Sequence, residues 1–203
     1  MLQKILVWFI GFSPFTKRWF WKKWYNVFAD RAKNSDFKFM NYGFDENGFF
    51  PDLKTEDKQE RYPIQLYHHV ASQTDLSGKV VLEVGSGRGG GASYVSRFLR
   101  PSSVLGVDIS ESAVELCNSI HAVDNLSFTV GDSEDLPFDA GSFDVVLNVE
   151  SSHCYGSVDQ FLKEVNRVLK VISFGVICDH PVILMTLIVD LKKRVLILFK
   201  NAI

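Results

Sequence analysis

The chain has 203 residues, 46% of them hydrophobic, with 22 basic and 24 acidic residues and a formal net charge of -2. That length and apolar share suit one folded catalytic domain with a sizeable core, and the near-neutral balance excludes a nucleic-acid binder that works through overall charge. Cys117, Cys154 and Cys178 are too scattered, and odd in number, for a disulfide framework or a zinc site, which points to a reducing, cytoplasmic setting and no structural metal.

Residues 1–40 form an aromatic, basic extension. Lys4, Lys17, Arg18, Lys22, Lys23, Arg31 and Lys33 stand against Asp30 alone within residues 1–33, and Trp8, Trp19, Trp21 and Trp24 all fall there. Two readings stand for this pattern: a segment at a membrane surface, where indole rings and ammonium groups meet the headgroups, or an aromatic helix packed on the domain. The apolar run at 5–12 is too short to span a bilayer and has no small-residue cleavage site, so no signal peptide is expected.

Residues 41–76 mix glycines, prolines and charges, and predict a loop followed by a short helix over 64–70. Residues 77–178 then alternate strands and helices. Val80, Val81 and Leu82 read as a strand buried on both faces, ending in glycines that open a helix with Ala92, Val95, Phe98 and Leu99 on one face and Pro101 as its stop. Further strands are expected at 104–107, 126–130 and 143–149, with a helix capped by Ser110 between the first two. Ser157 caps an amphipathic helix that runs to Lys170, and 172–178 follows as a fifth strand. Strands and helices in this order imply an α/β, Rossmann-like, doubly wound and mainly parallel sheet with a helical N-terminal extension, its ligands bound beyond the C-terminal strand ends.

The chemistry concentrates at those ends. Glu83-Val84-Gly85-Ser86-Gly87-Arg88-Gly89-Gly90-Gly91 follows a strand and opens a helix, the context in which a glycine-rich turn lets a ligand approach the backbone. Gly85, Gly87 and Gly90 also satisfy the dinucleotide fingerprint, with Asp108 ending the next strand as a ribose acceptor, so an NAD-dependent oxidoreductase stands as an alternative. Against it, Glu83 places a negative charge where a pyrophosphate gains nothing and a sulfonium compound with an ammonium group is tolerated. Asp132, after the third strand, can accept from an adenine amino group, and the strand 143–149 delivers Asn148 and Glu150 to the same crevice.

Taken together these motifs resemble the class I S-adenosylmethionine-dependent methyltransferases, and more closely the phthiotriolone and phenolphthiotriolone dimycocerosates O-methyltransferase family. The similarity spans residues 42–170 and is carried by Leu66-Tyr67-His68, Gly89-Gly90-Gly91-Ala92-Ser93-Tyr94 and Val146-Leu147-Asn148-Val149-Glu150-Ser151-Ser152-His153-Cys154-Tyr155. The resemblance implies S-adenosyl-L-methionine as cofactor, with Glu83, Gly85, Gly87 and Gly89 around its methionine part, Asp108 on the ribose, Asp132 and Ser133 beside adenine, and Asn148 at the methionine end. It implies a lid containing Tyr42, Tyr67 and His68, and a small, lipid-like acceptor methylated on oxygen. His153, with Glu150 as second candidate or as its orienting partner, is expected to take the acceptor's proton.

Residues 179–203 form an atypical apolar tail, and the departure from the family begins at 171. Where the family leaves this helix through a Pro-Gly-Gly-like turn, the chain reads Val171-Ile172-Ser173-Phe174-Gly175, followed by apolar runs at 182–189 and 195–199. Two expectations follow: a divergent ending that supplies one or two strands, or a truncated or misread product that leaves the C-terminal part of the fold incomplete and a sheet edge exposed, with an inactive fragment as an alternative function. The second is the favoured one.

Overall fold

The computed structural model describes residues 13–31, 37–45, 53–179, 184–190 and 195–201. The apolar run at 5–12 and the glycine and proline loop at 46–52 lie outside the described residues. Helix α1 (Pro14–Arg31) comes first, then a 3-10 turn (Thr55–Glu60) that leads into α2 (Arg61–Ala71). The core follows as β1 (Val80–Val84), α3 (Gly90–Phe98), β2 (Ser103–Asp108), α4 (Glu111–Ile120), β3 (Leu126–Val130), β4 (Phe143–Val149) and α5 (Val158–Val168). β5 (Leu169–Asp179), β6 (Leu184–Asp190) and β7 (Val195–Asn201) complete the described elements.

The sheet order is β3-β2-β1-β4-β5-β6-β7, parallel from β3 through β5, with β6 and β7 antiparallel. The chain reverses its winding direction between β1 and β4, and that switch point opens a crevice above the strand ends. Side chains alternate across the sheet as the strand period demands. Val81, Val145 and Leu147 join the layer of Ile64, Val70 and Val95 from α2 and α3, whereas Leu82 and Val146 join Phe161 and Val165 of α5. Phe143 lies on the α5 side although Val145 does not, and the β4–β5 register shifts between them.

Two sequence expectations need correction. α2 begins at Arg61 rather than at 64, since Pro63 falls in the first turn, where its missing N–H is of no consequence. α5 stops at Val168, and Leu169 is already extended and paired with Phe143, so the fifth strand starts earlier than the apolar run suggested. In the tail, β6 and β7 continue the sheet beyond β5 as antiparallel strands. Among the described residues no helix is long and apolar enough to cross a membrane.

Candidate active site

β1 delivers Glu83 and then turns through Gly85, at φ 78°, and Gly87, at φ 53°, left-handed values that favour glycine. A Cβ on Gly85 would run into Ser151 and come within 3.0 Å of the Tyr155 hydroxyl, so the turn is seated directly on the loop after β4. Asp108, at the end of β2, anchors the same turn: Oδ2 accepts the Gly87 N–H at 2.8 Å and Oδ1 the Ser110 N–H at 2.9 Å. Burial raises the Asp108 carboxyl above its ordinary value, opposed by these backbone bonds.

Glu83 lies beneath the turn, 2% exposed, and accepts a 2.6 Å hydrogen bond from Tyr67 of α2. Burial pushes its carboxyl up from 4.5 to about 8, against the opposing bonds from Tyr67 and the Ala92 N–H. Asn148 is fully buried, and its Nδ2 reaches the Val84 carbonyl, Ser151 Oγ and the Tyr155 hydroxyl at 2.7–2.9 Å. Glu83 Oε2, Ser86 Oγ, Asn148 Oδ1 and the Trp21 indole nitrogen are buried without a protein partner. Orphaned polar atoms gathered round one glycine turn are the environment a polar ligand completes.

The crevice above is lined by Gly85, Ser86 and Gly87, by Asp108, Asp132, Ser133, Glu134 and Glu150, and by Tyr67, Ser151, Cys154 and Tyr155. Its roof is α1 with residues 38–41: Arg18, Trp21 and Tyr25 face it from the helix, Phe39 and Met40 from the segment that follows. Arg18 Nη1 lies 3.3 Å from Asp132 Oδ2 and 3.5 Å from Glu134 Oε2, and the Asn26 side chain accepts from Ser110 Oγ at 2.6 Å. The Tyr25 hydroxyl sits 3.5 Å from Cys154 Sγ, and burial, then the neighbouring thiol, raises its pKa. Four carboxylates, Asp108, Asp132, Glu134 and Glu150, share this space with Arg18, Lys38 and Arg88, so it can meet both cationic and anionic parts of a ligand.

Residues 82–174 match the methyltransferase domain family. The chain carries a class I methyltransferase domain. The phthiotriol/phenolphthiotriol dimycocerosates methyltransferase of Mycobacterium tuberculosis is 45% identical over 159 residues, 78% of this chain and 59% of that protein. The fatty-acid O-methyltransferase of Mycolicibacterium smegmatis is 47% identical over 147 residues, 72% of this chain and 54% of that one. The chain therefore spans less than two thirds of the length of these curated relatives. Among solved structures, the geranyl diphosphate C-methyltransferase of Streptomyces coelicolor shares the fold at a TM-score of 0.58 and 22% identity, covering 75% of this chain and 63% of that one.

The methyltransferase domain brings Gly85, Gly87, Asp108, Asp132, Ser133, Glu150 and Tyr67 to one crevice, with Glu83 and Asn148 buried directly under its glycine turn. Other candidates sit elsewhere. Gly89, at φ 75°, faces the rings of Phe128 and His121, so it serves the packing of β3 and α4. His153 is solvent-exposed on a 3-10 turn (Ser152–Cys154), its ring edge against Trp21 at 6.4 Å, outside the crevice lining. His68 pairs with the Tyr94 hydroxyl at 2.7 Å on the α2–α3 side. Tyr42 is 76% exposed, and its backbone N–H donates to Glu150 Oε2 at 3.0 Å.

Glu150 itself holds φ 50°, an uncommon conformation for a non-glycine residue and one that recurs at functional sites. Sequence reasoning did not single out Arg18, Trp21, Tyr25, Ser86 or Tyr155. For Tyr155 a signal existed in the Ser151 to Tyr155 run; for the α1 residues the aromatic density was visible, but not the surface it covers.

Proposed function

We propose that this chain moves a methyl group from S-adenosylmethionine to an oxygen of a small, lipid-like acceptor, in the cytoplasm and in contact with a membrane surface through its N-terminal segment. The observation that carries the reading is the glycine turn hung on Asp108 at the sheet's switch point, with a carboxylate-rich crevice directly above it. The relatives' printed names support both a lipid-like acceptor and methylation at oxygen.

When bound, S-adenosylmethionine supplies a methyl group activated by its sulfonium charge. Asp108 takes the ribose hydroxyls with the lone pairs left over from Gly87 and Ser110. Asp132 and Ser133 flank the adenine, and Glu83, below the turn, balances the ammonium end once that charge draws off its proton. Tyr67 and Asn148 hold these groups in place without touching the reacting atoms. Glu150, rather than the outward-facing His153, receives the proton of an acceptor hydroxyl, and the Tyr42 N–H steadies its carboxylate. α1 and Phe39 exclude water, and alignment of donor and acceptor does most of the remaining work.

Calorimetric titration of the chain with S-adenosylhomocysteine, with NAD as a parallel control, tests this reading. Saturable binding of the nucleoside thioether alone is the expected result; binding of NAD alone, or of neither by folded protein, overturns it.

A further inference from the structure

α1 has two faces with different chemistry. Its inner face closes the crevice: Arg18 reaches the loop after β3, Asn26 the loop after β2, and Tyr25 the loop after β4. Its outer face carries Phe15, Trp19, Trp24 and Val27, between 47% and 68% exposed, with Lys23 exposed among them. Between Pro14 and Arg31 the helix holds five basic residues, Lys17, Arg18, Lys22, Lys23 and Arg31, against Asp30, in a chain whose net charge is -2. Indole rings beside ammonium groups match the headgroup level of an anionic bilayer in both polarity and sign.

Resting on the methyltransferase reading above, we infer that α1 is a lid opened by an anionic lipid surface, with Arg18 as its latch. The helix lies between the lipid its outer face fits and the site its inner face covers, so an acceptor held in that lipid reaches Glu150 only when α1 moves aside. The latch suits such a device. Arg18 and Asp132 are 35% and 31% exposed, and half-exposed ion pairs are weak and screened by salt. Asp132 is also the group proposed to meet the adenine, so release of Arg18 frees a cofactor contact at the same step.

Cys154 reports the lid position, because it is 7% exposed and lies under Tyr25. The test is the rate of maleimide alkylation at Cys154, located by mass spectrometry, in solution, with phosphatidylglycerol vesicles and with phosphatidylcholine vesicles. Phosphatidylglycerol is expected to accelerate labelling at least about tenfold and phosphatidylcholine not at all, as a shift of the closed population requires. Arg18→Gln labels fast without vesicles. A Trp19→Ser, Trp24→Ser double variant, folded by circular dichroism, loses the vesicle effect.

An unchanged Cys154 rate on vesicles that sediment the protein overturns the lid. So does failure to bind them, or a dimer that buries Trp19 and Trp24 and so assigns this face to a second copy. S-adenosylhomocysteine slows labelling if the cofactor reading holds; lipid acceleration without that protection removes the cofactor reading and leaves the lid.

Discussion

Replacing Glu83 by glutamine preserves the shape of the side chain and the acceptor for Tyr67 but removes a titration. Folding carries this carboxyl from 4.5 to about 8 because burial penalises its charge. The folded chain therefore keeps a proton that the unfolded chain gives up between those two values. The associated stability is complete below the lower value and drains away as pH rises through the higher one. One proton of difference changes the unfolding free energy by about 1.4 kcal/mol per pH unit. Over this interval the ceiling is about 5 kcal/mol, and water entry with relaxation of the crevice brings the expected effect to roughly half that. Urea unfolding followed from about pH 5 to about pH 8 should show the parent protein losing roughly 2–3 kcal/mol more than Glu83→Gln. Parallel pH profiles for the two proteins would refute the buried, protonated carboxyl.

Asp108→Ala removes the acceptor for both Gly87 and Ser110, and should weaken S-adenosylhomocysteine binding by at least about a hundredfold in calorimetry; unchanged affinity would eliminate the site. Gly85→Ala forces a Cβ onto a φ of 78° and into Ser151, and should destabilise the fold by about 3 kcal/mol in denaturant unfolding. His153→Ala, at an exposed position outside the crevice lining, should alter turnover less than about threefold and stability by less than about 1 kcal/mol. A collapse of turnover with that variant would restore histidine as the base and displace Glu150.

The parallel core was legible because strands buried on both faces leave unbroken apolar runs: the expected bounds of β3 and β4, 126–130 and 143–149, are those found. Helix starts were legible where a side chain announces them. Ser110 accepts from the Ala113 N–H, and Ser157 from the Gln160 N–H, as capping serines do. The crevice residues on strand ends came with the strands. The exposure of His153 was not legible, because sequence gives its position after β4 but not the orientation of the 3-10 turn that carries it. The roof was missed for a different reason. Arg18 meets Asp132 across 114 residues and Tyr25 meets Cys154 across 129, and local periodicity carries no record of such distant partners.

Those separations also set an order in time. During synthesis α1 leaves the ribosome long before Cys154 exists, by on the order of ten seconds at ordinary elongation rates. An isolated helix of 18 residues is marginal in water, so for that interval its tryptophans and lysines are offered to whatever the nascent chain meets first. The contacts that α1 makes with the loop after β4 are therefore those whose first half waits longest for its second.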